Sequence, residues 1–191
     1  MRRLPILLAI AVVGAIGGTT RAADDVDADV AKSRELVQAF AKTLKAELQQ
    51  AMEAGGPTNA IGVCHEVAPE IAREQSESSG WDVGRTALRL RNPMNAPDDW
   101  ERATLEQFEA RKVAGQDTQT MERHETVSEN GETMFRYMKA IPTAELCTNC
   151  HGTDLAPKVE ARLAELYPED RAIGFAVGDI RGAFTLEKPL D

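Results

Sequence analysis

Cysteine, histidine and aromatic residues are all scarce in this chain, and each scarcity removes a class of protein. Three cysteines in 191 residues cannot build a disulfide scaffold. A structural zinc knuckle needs four ligands, and away from the one Cys-x-x-Cys pair the only Cys or His residues are Cys64, His65 and His124, which form no second knuckle. Basic residues are outnumbered, 22 Lys and Arg against 31 Asp and Glu for a net charge of -9. That balance argues against nucleic acid and anionic membrane surfaces as partners. Past residue 18 no apolar run is long enough to span a bilayer, and no internal repeat or low-complexity segment is present.

The N-terminus carries an export pattern. Met1-Arg2-Arg3 is a basic start, Leu4 to Gly18 is an apolar run, and Thr20-Arg21-Ala22 ends in a small residue suited to cleavage. The run is short for a transmembrane anchor and typical of a signal peptide. We therefore expect a signal peptide over 1–22, a periplasmic or otherwise exported product, and one mature domain over 23–191, a length that fits a single core. Cleavage removes three arginines and no acid, taking the formal charge from -9 to -12.

The most specific stretch comes late. Cys147-Thr148-Asn149-Cys150-His151 has the Cys-x-x-Cys-His spacing of covalent c-type haem attachment. Two intervening residues let one tight turn carry both sulfurs along a porphyrin edge, and a His directly after the second Cys is delivered beneath the iron. The spacing predicts Cys147 and Cys150 as covalent anchors of one haem c, with His151 as the proximal ligand. Two alternatives are weaker. A redox dithiol does not need the His and belongs to a βαβ pattern absent here, and two cysteines this close form a disulfide only with strain. With aromatics at 5%, a porphyrin would supply part of the core's apolar bulk.

Along the chain, Val26, Val30, Val37, Phe40, Leu44, Leu48 and Met52 recur at helical period and predict one long helix over 24–54, stopped by Gly55-Gly56-Pro57. A second helix, capped by Thr58 or Asn59, follows with Ala60, Ile61, Cys64, Val67, Ala68 and Ile71 on its inner stripe, and Pro69 is expected to kink or break it. Trp81 to Arg91 alternates as a strand, with Arg85, Arg89 and Arg91 on one face. That ladder is either solvated or holds haem propionates or another acidic ligand, to which guanidinium is suited. Asn92 to Pro97 turns the chain, and Asp98 caps a helix bearing Trp100, Leu105 and Phe108. Strands over 121–127 and 133–141 meet at Asn130-Gly131. A helix over 157–166 and a second hairpin, 173–177 with 182–186, complete an α+β pattern with an antiparallel sheet.

A class I cytochrome c carries its haem motif near the N-terminus and a distal Met downstream. Here the motif is late, so a helical distal ligand must come from upstream: Cys64, His65, His124, Met52, Met94, Met121, Met134 or Met138. Cys64 is favoured, because it falls on a buried stripe, has no disulfide partner in an oxidising compartment, and as a thiolate binds ferric iron strongly.

Four stretches together resemble a known family: Ile61 to Pro69 (IGVCHEVAP), Gly84 to Pro97 (GRTALRLRNPMNAP), the Cys147 to Gly152 motif, and Tyr167 to Phe175 (YPEDRAIGF) with Gly178 to Gly182 (GDIRG). The likeness, spanning nearly all of the mature chain, is to exported single-haem proteins grouped as a domain of unknown function. It implies a PAS-like fold and a c-type haem with His and Cys axial ligands, carried here to His151 and Cys64.

A haem ligated on both sides leaves no open position for a substrate, so the chain reads as a redox sensor or electron carrier with a redox partner protein, not as an enzyme. The alternatives are a CO or NO sensor in which the gas displaces Cys64, a peroxidase, for which no distal His and Arg pair is apparent, and a module that uses haem only as a staple. The sequence leaves the oligomeric state open.

Overall fold

In a computed structural model the chain is described over residues 19–129 and 131–190. The expected signal peptide, 1–22, lies outside them apart from its last four residues, which open the first helix. Helix α1 (Thr19–Gly55) lays Val30, Leu36, Val37 and Phe40 into the main core, as the apolar period requires. It stops where Gly56 turns at φ 70° and Pro57 begins α2 (Pro57–Gly62).

The cap expected from Thr58 or Asn59 is not formed, because Pro57 already occupies the first position of α2 and has no N–H to satisfy. Both side chains reach back instead: Thr58 Oγ1 donates to Gly55 O at 3.4 Å and Asn59 Nδ2 to Ala51 O at 3.2 Å, covering the last carbonyls of α1.

Pro69 acts on the preceding turn. Val63–Val67 is a π-helical turn, closed by a bond from Ala68 N–H to Val63 O, and α3 (Ala68–Ser79) continues from it with Pro69 in its first turn. A proline ring crowds the carbonyl four residues back, and widening that turn relieves the clash without breaking the rod. The wide turn carries Cys64.

The sheet is four-stranded and fully antiparallel, in the order β1-β4-β3-β2, with β1 Asp82–Thr86, β2 Glu122–Glu129, β3 Glu132–Pro142 and β4 Ile180–Leu190. One face carries Trp81, Val83, Phe135, Tyr137, Phe184 and Leu186 against α1 and α3. The other carries Met121, Met138, Ala140 and Ala183 against Leu105 and Phe108 of α4 (Asp99–Val113). Asp98 and Glu101 close a reciprocal capping box at the start of α4. Short helices α5 (Glu145–His151) and α6 (Pro157–Leu166) follow β3. This is the expected α+β, PAS-like arrangement of an antiparallel sheet flanked by helices, with a long N-terminal helix. Among the described residues no helix is long and apolar enough to cross a membrane.

Two strand expectations need correction. The run from Trp81 pairs only to Thr86; Ala87 N–H then turns to Asn95 O at 3.2 Å and Leu90 O accepts from Arg171 N–H at 2.7 Å, so the ladder's groups are spent elsewhere. Residues 173–177 are not a strand either. Gly174 and Phe175 donate to Gly152 O and His151 O, each at 2.8 Å, and wrap the segment over α5.

On the α1 side, Glu122 accepts from Tyr137 Oη at 2.7 Å and from Arg34 Nε at 3.1 Å. The Arg34 bond, reinforced by Tyr137, holds its carboxyl down at about 2. A depressed folded value stabilises the native state above the unfolded value and loses that contribution on acidification. Stability should therefore fall as pH drops from about 4.5 towards 2, and Glu122→Gln should flatten that limb of a pH series of urea midpoints.

Candidate functional site

The site forms at the end of the sheet where β1 finishes and β4 begins. Antiparallel pairing of Thr86 with Ala183 brings Arg85 and Arg181 to this end, and α5 is pinned beneath by the 171–176 segment. Gly152 ends α5 with its N–H on Thr148 O at 2.9 Å, and a Cβ there would meet that same oxygen at 2.5 Å. Only glycine fits this close approach.

His151 is half-buried. Its Nδ1 lies 2.7 Å from Ala172 O, a contact that only an Nδ1–H can satisfy, which leaves Nε2 with the lone pair that binds metal. Burial first, then the charges of Arg181 and Arg91, hold the imidazole neutral well below its ordinary range. Arg91 is the keystone of the local backbone. It is 6% exposed, pairs with Asp170 at 2.9 Å, and donates from Nη2 to Cys150 O at 2.6 Å and Ala172 O at 3.2 Å.

The charges of Arg85, Arg91 and Arg181 act on both Cys64 and His151. All three cysteines are free thiols and half-buried. Burial pushes the Cys64 thiol up, against the pull of those arginines, and pushes Cys150 up to about 11. Cys150 Sγ approaches Pro57 O at 3.9 Å, and it packs with Ile61, Val159, Leu163 and Tyr167 in a satellite core between α2 and α6.

The arginine ladder divides. Arg85 turns into the α1 face, 5.5 Å from the Phe40 ring, and has no carboxylate or hydrogen-bond partner among the described residues. Arg91 is buried in the pairing above. Arg89 is exposed, stacked 4.0 Å over Phe175, with its Nε on Arg171 O at 3.3 Å. The sequence reading passed over Arg181, whose Nε lies 3.2 Å from His151 Nδ1 and 3.4 Å from Nε2. Burial, then Arg91 and Arg85, pull it down to about 10. It lies within the Gly178 to Gly182 stretch, but its place opposite the end of β1, which brings it to His151, exists only in the folded sheet.

Among the other ligand candidates, His65 is exposed and edge-on to Tyr167 at 5.3 Å. His124 is exposed on β2, at the opposite edge of the sheet, stacked on Phe135. Met121 and Met138 fill the α4-side core, and Met94 is 87% exposed. Met134 lies on the β2–β3 hairpin, paired with Val127, and Met52 is half-buried near the end of α1.

These groups fit a haem. The imidazole is neutral with its far nitrogen engaged, a soft donor shares its surroundings, and two thiols sit at the attachment spacing. Three guanidiniums against the single carboxylate of Asp170 leave a formal charge of +2 that calls for anions.

Sheet, helices and site together define a class, a PAS-like α+β domain of a haem-protein family. The solved structure of the cyanobacterial heme-protein Tll0287 is similar to this chain, with a TM-score of 0.66 and 25% identity over 85% of this chain and 96% of that one. The chain belongs to the Tll0287-like family, whose model matches residues 21–189. No curated protein matches it.

Proposed function

We propose that the chain is an exported protein which, after losing 1–22, carries a single covalent haem c in one domain, 23–191, and moves or senses single electrons. Cys147 and Cys150 would anchor the haem covalently, and His151 and Cys64 would hold its iron. Such a group supplies a one-electron Fe(III)/Fe(II) couple whose potential an anionic thiolate keeps low. The observation that carries this reading is the Cys147–His151 motif on α5, with the His151 ring held through Nδ1 by Ala172 O at 2.7 Å so that Nε2 is left to bind metal.

The chain's own residues have distinct tasks in it. Ala172 O orients the His151 ring. Arg85 and Arg181, with exposed Arg89, would supply the positive charge for the haem carboxylates, and Arg91 spends most of its donors on Asp170 and the carbonyls that position α5. The uncompensated +2 matches the -2 of a ferric haem with one thiolate and two propionates. With His151 and Cys64 both on the iron, the site would suit electron exchange with a redox partner protein more than turnover of a substrate.

The wide turn under Cys64 supports a second reading. A ligand on a π-helical turn is well placed to be displaced by CO or NO, which would make the protein a gas sensor.

Covalent attachment is tested by unfolding the holoprotein in alkaline pyridine after acid–acetone extraction. We expect the haem to stay with the polypeptide and to become extractable in Cys147→Ser/Cys150→Ser. Haem that extracts from the unaltered chain contradicts the assignment.

A further inference from the structure

Tyr167 is 5% exposed, and among the described residues its Oη has no hydrogen-bond partner. A buried hydroxyl without a partner is uncommon, and it points to a group that arrives later. The ring shares a core cluster with Ile61 and meets His65, the residue next to Cys64, edge-on at 5.3 Å. Cys64, Arg91, Arg85 and Asp170 all act on the phenol, and the hydroxyl has one proton to donate.

We propose that Tyr167 is a positioning residue for Cys64, its hydroxyl donating a hydrogen bond to the sulfur once that sulfur is bound to iron, and so setting how readily the sulfur lets go. The proposal rests on Cys64 being the axial ligand. A hydrogen bond to a metal-bound sulfur draws electron density from it, which lowers its preference for the ferric state and raises the potential. Arg85 and Arg181 act on the sulfur as fixed charges, whereas Tyr167 acts through one directed bond that a single substitution removes.

The test is the Tyr167→Phe holoprotein, which keeps the ring on Ile61 and His65 and loses no hydrogen bond that the polypeptide makes. We expect it to remain thiolate-ligated by EPR, with a midpoint potential lowered by about 59 mV, a tenfold stronger ferric preference for a one-electron couple. Its Fe–S stretching frequency should rise, and the D2O sensitivity of that frequency should disappear. An unchanged potential and Fe–S frequency would overturn the proposal. A shifted potential with an unchanged Fe–S frequency would also overturn it, by placing the hydroxyl on a carboxylate. Cys64→Ala separates the two readings: if it leaves the ferric spectrum unaltered, the ligand assignment itself has failed, whereas if only Tyr167→Phe is silent, the hydrogen bond alone is lost.

Discussion

Cys64→Ala should convert the ferric protein from a thiolate-ligated low-spin species to one with a weaker or absent sixth ligand. It should also raise the midpoint potential by roughly 100–200 mV, two to three decades of ferric preference at about 59 mV each. The direction follows from charge. A thiolate neutralises one unit of positive charge on Fe(III), and the charges of Arg85, Arg91 and Arg181 work in the same direction, against the burial that pushes the Cys64 thiol up. The reduced variant should bind CO at once, because a methyl group cannot compete for iron. His65→Ala is the matched control. That ring is exposed and engaged edge-on with Tyr167, so its removal should leave spectrum and potential where they were. If the two substitutions exchange these outcomes, the ligand is His65.

Arg91→Ala should cost roughly 3–5 kcal/mol of stability, the usual penalty for removing one partner of a buried ion pair. The side chains of Arg91 and Asp170 are only 5% and 10% exposed, so Asp170 would be left with an uncompensated charge. Cys150 O and Ala172 O lose a donor in the same change, and Ala172 O is the group that orients His151. Lower stability and poorer haem loading should therefore appear together, read from urea midpoints and the haem-to-protein absorbance ratio. Arg91→Lys keeps the charge without the planar fork and should recover only part of either. Arg73→Ala, at an exposed helical cluster with Glu70 and Glu77, should change neither.

What the sequence made legible was local. The Asp98 cap, the long first helix and the β2–β3 hairpin are each written within a few residues, and each stands in the structure where it was expected. What it concealed depends on partners far along the chain. Ile173 to Val177 has strand-like residues, but its donors go to His151 O and Gly152 O. The strand from Trp81 stops at Thr86 because Ala87 and Leu90 bond outside the sheet. Arg89 and Arg91 thereby leave the ladder that their alternation suggested, one for the surface and one for the interior. Arg181 joined the site only through the pairing of β1 with β4, and Tyr167 only through the packing of α6 on α2. Pro69 was recognised as a disturbance, but nothing local distinguished a break from the wide turn that carries Cys64.

Whether His151 and Cys64 hold one haem iron between them is read most directly by low-temperature EPR of the ferric holoprotein. The expected result is a low-spin signal with the narrow spread of g values that thiolate ligation produces, lost in Cys64→Ala. A high-spin signal, or the wide spread of ligation by two nitrogens or by nitrogen and thioether, would contradict it.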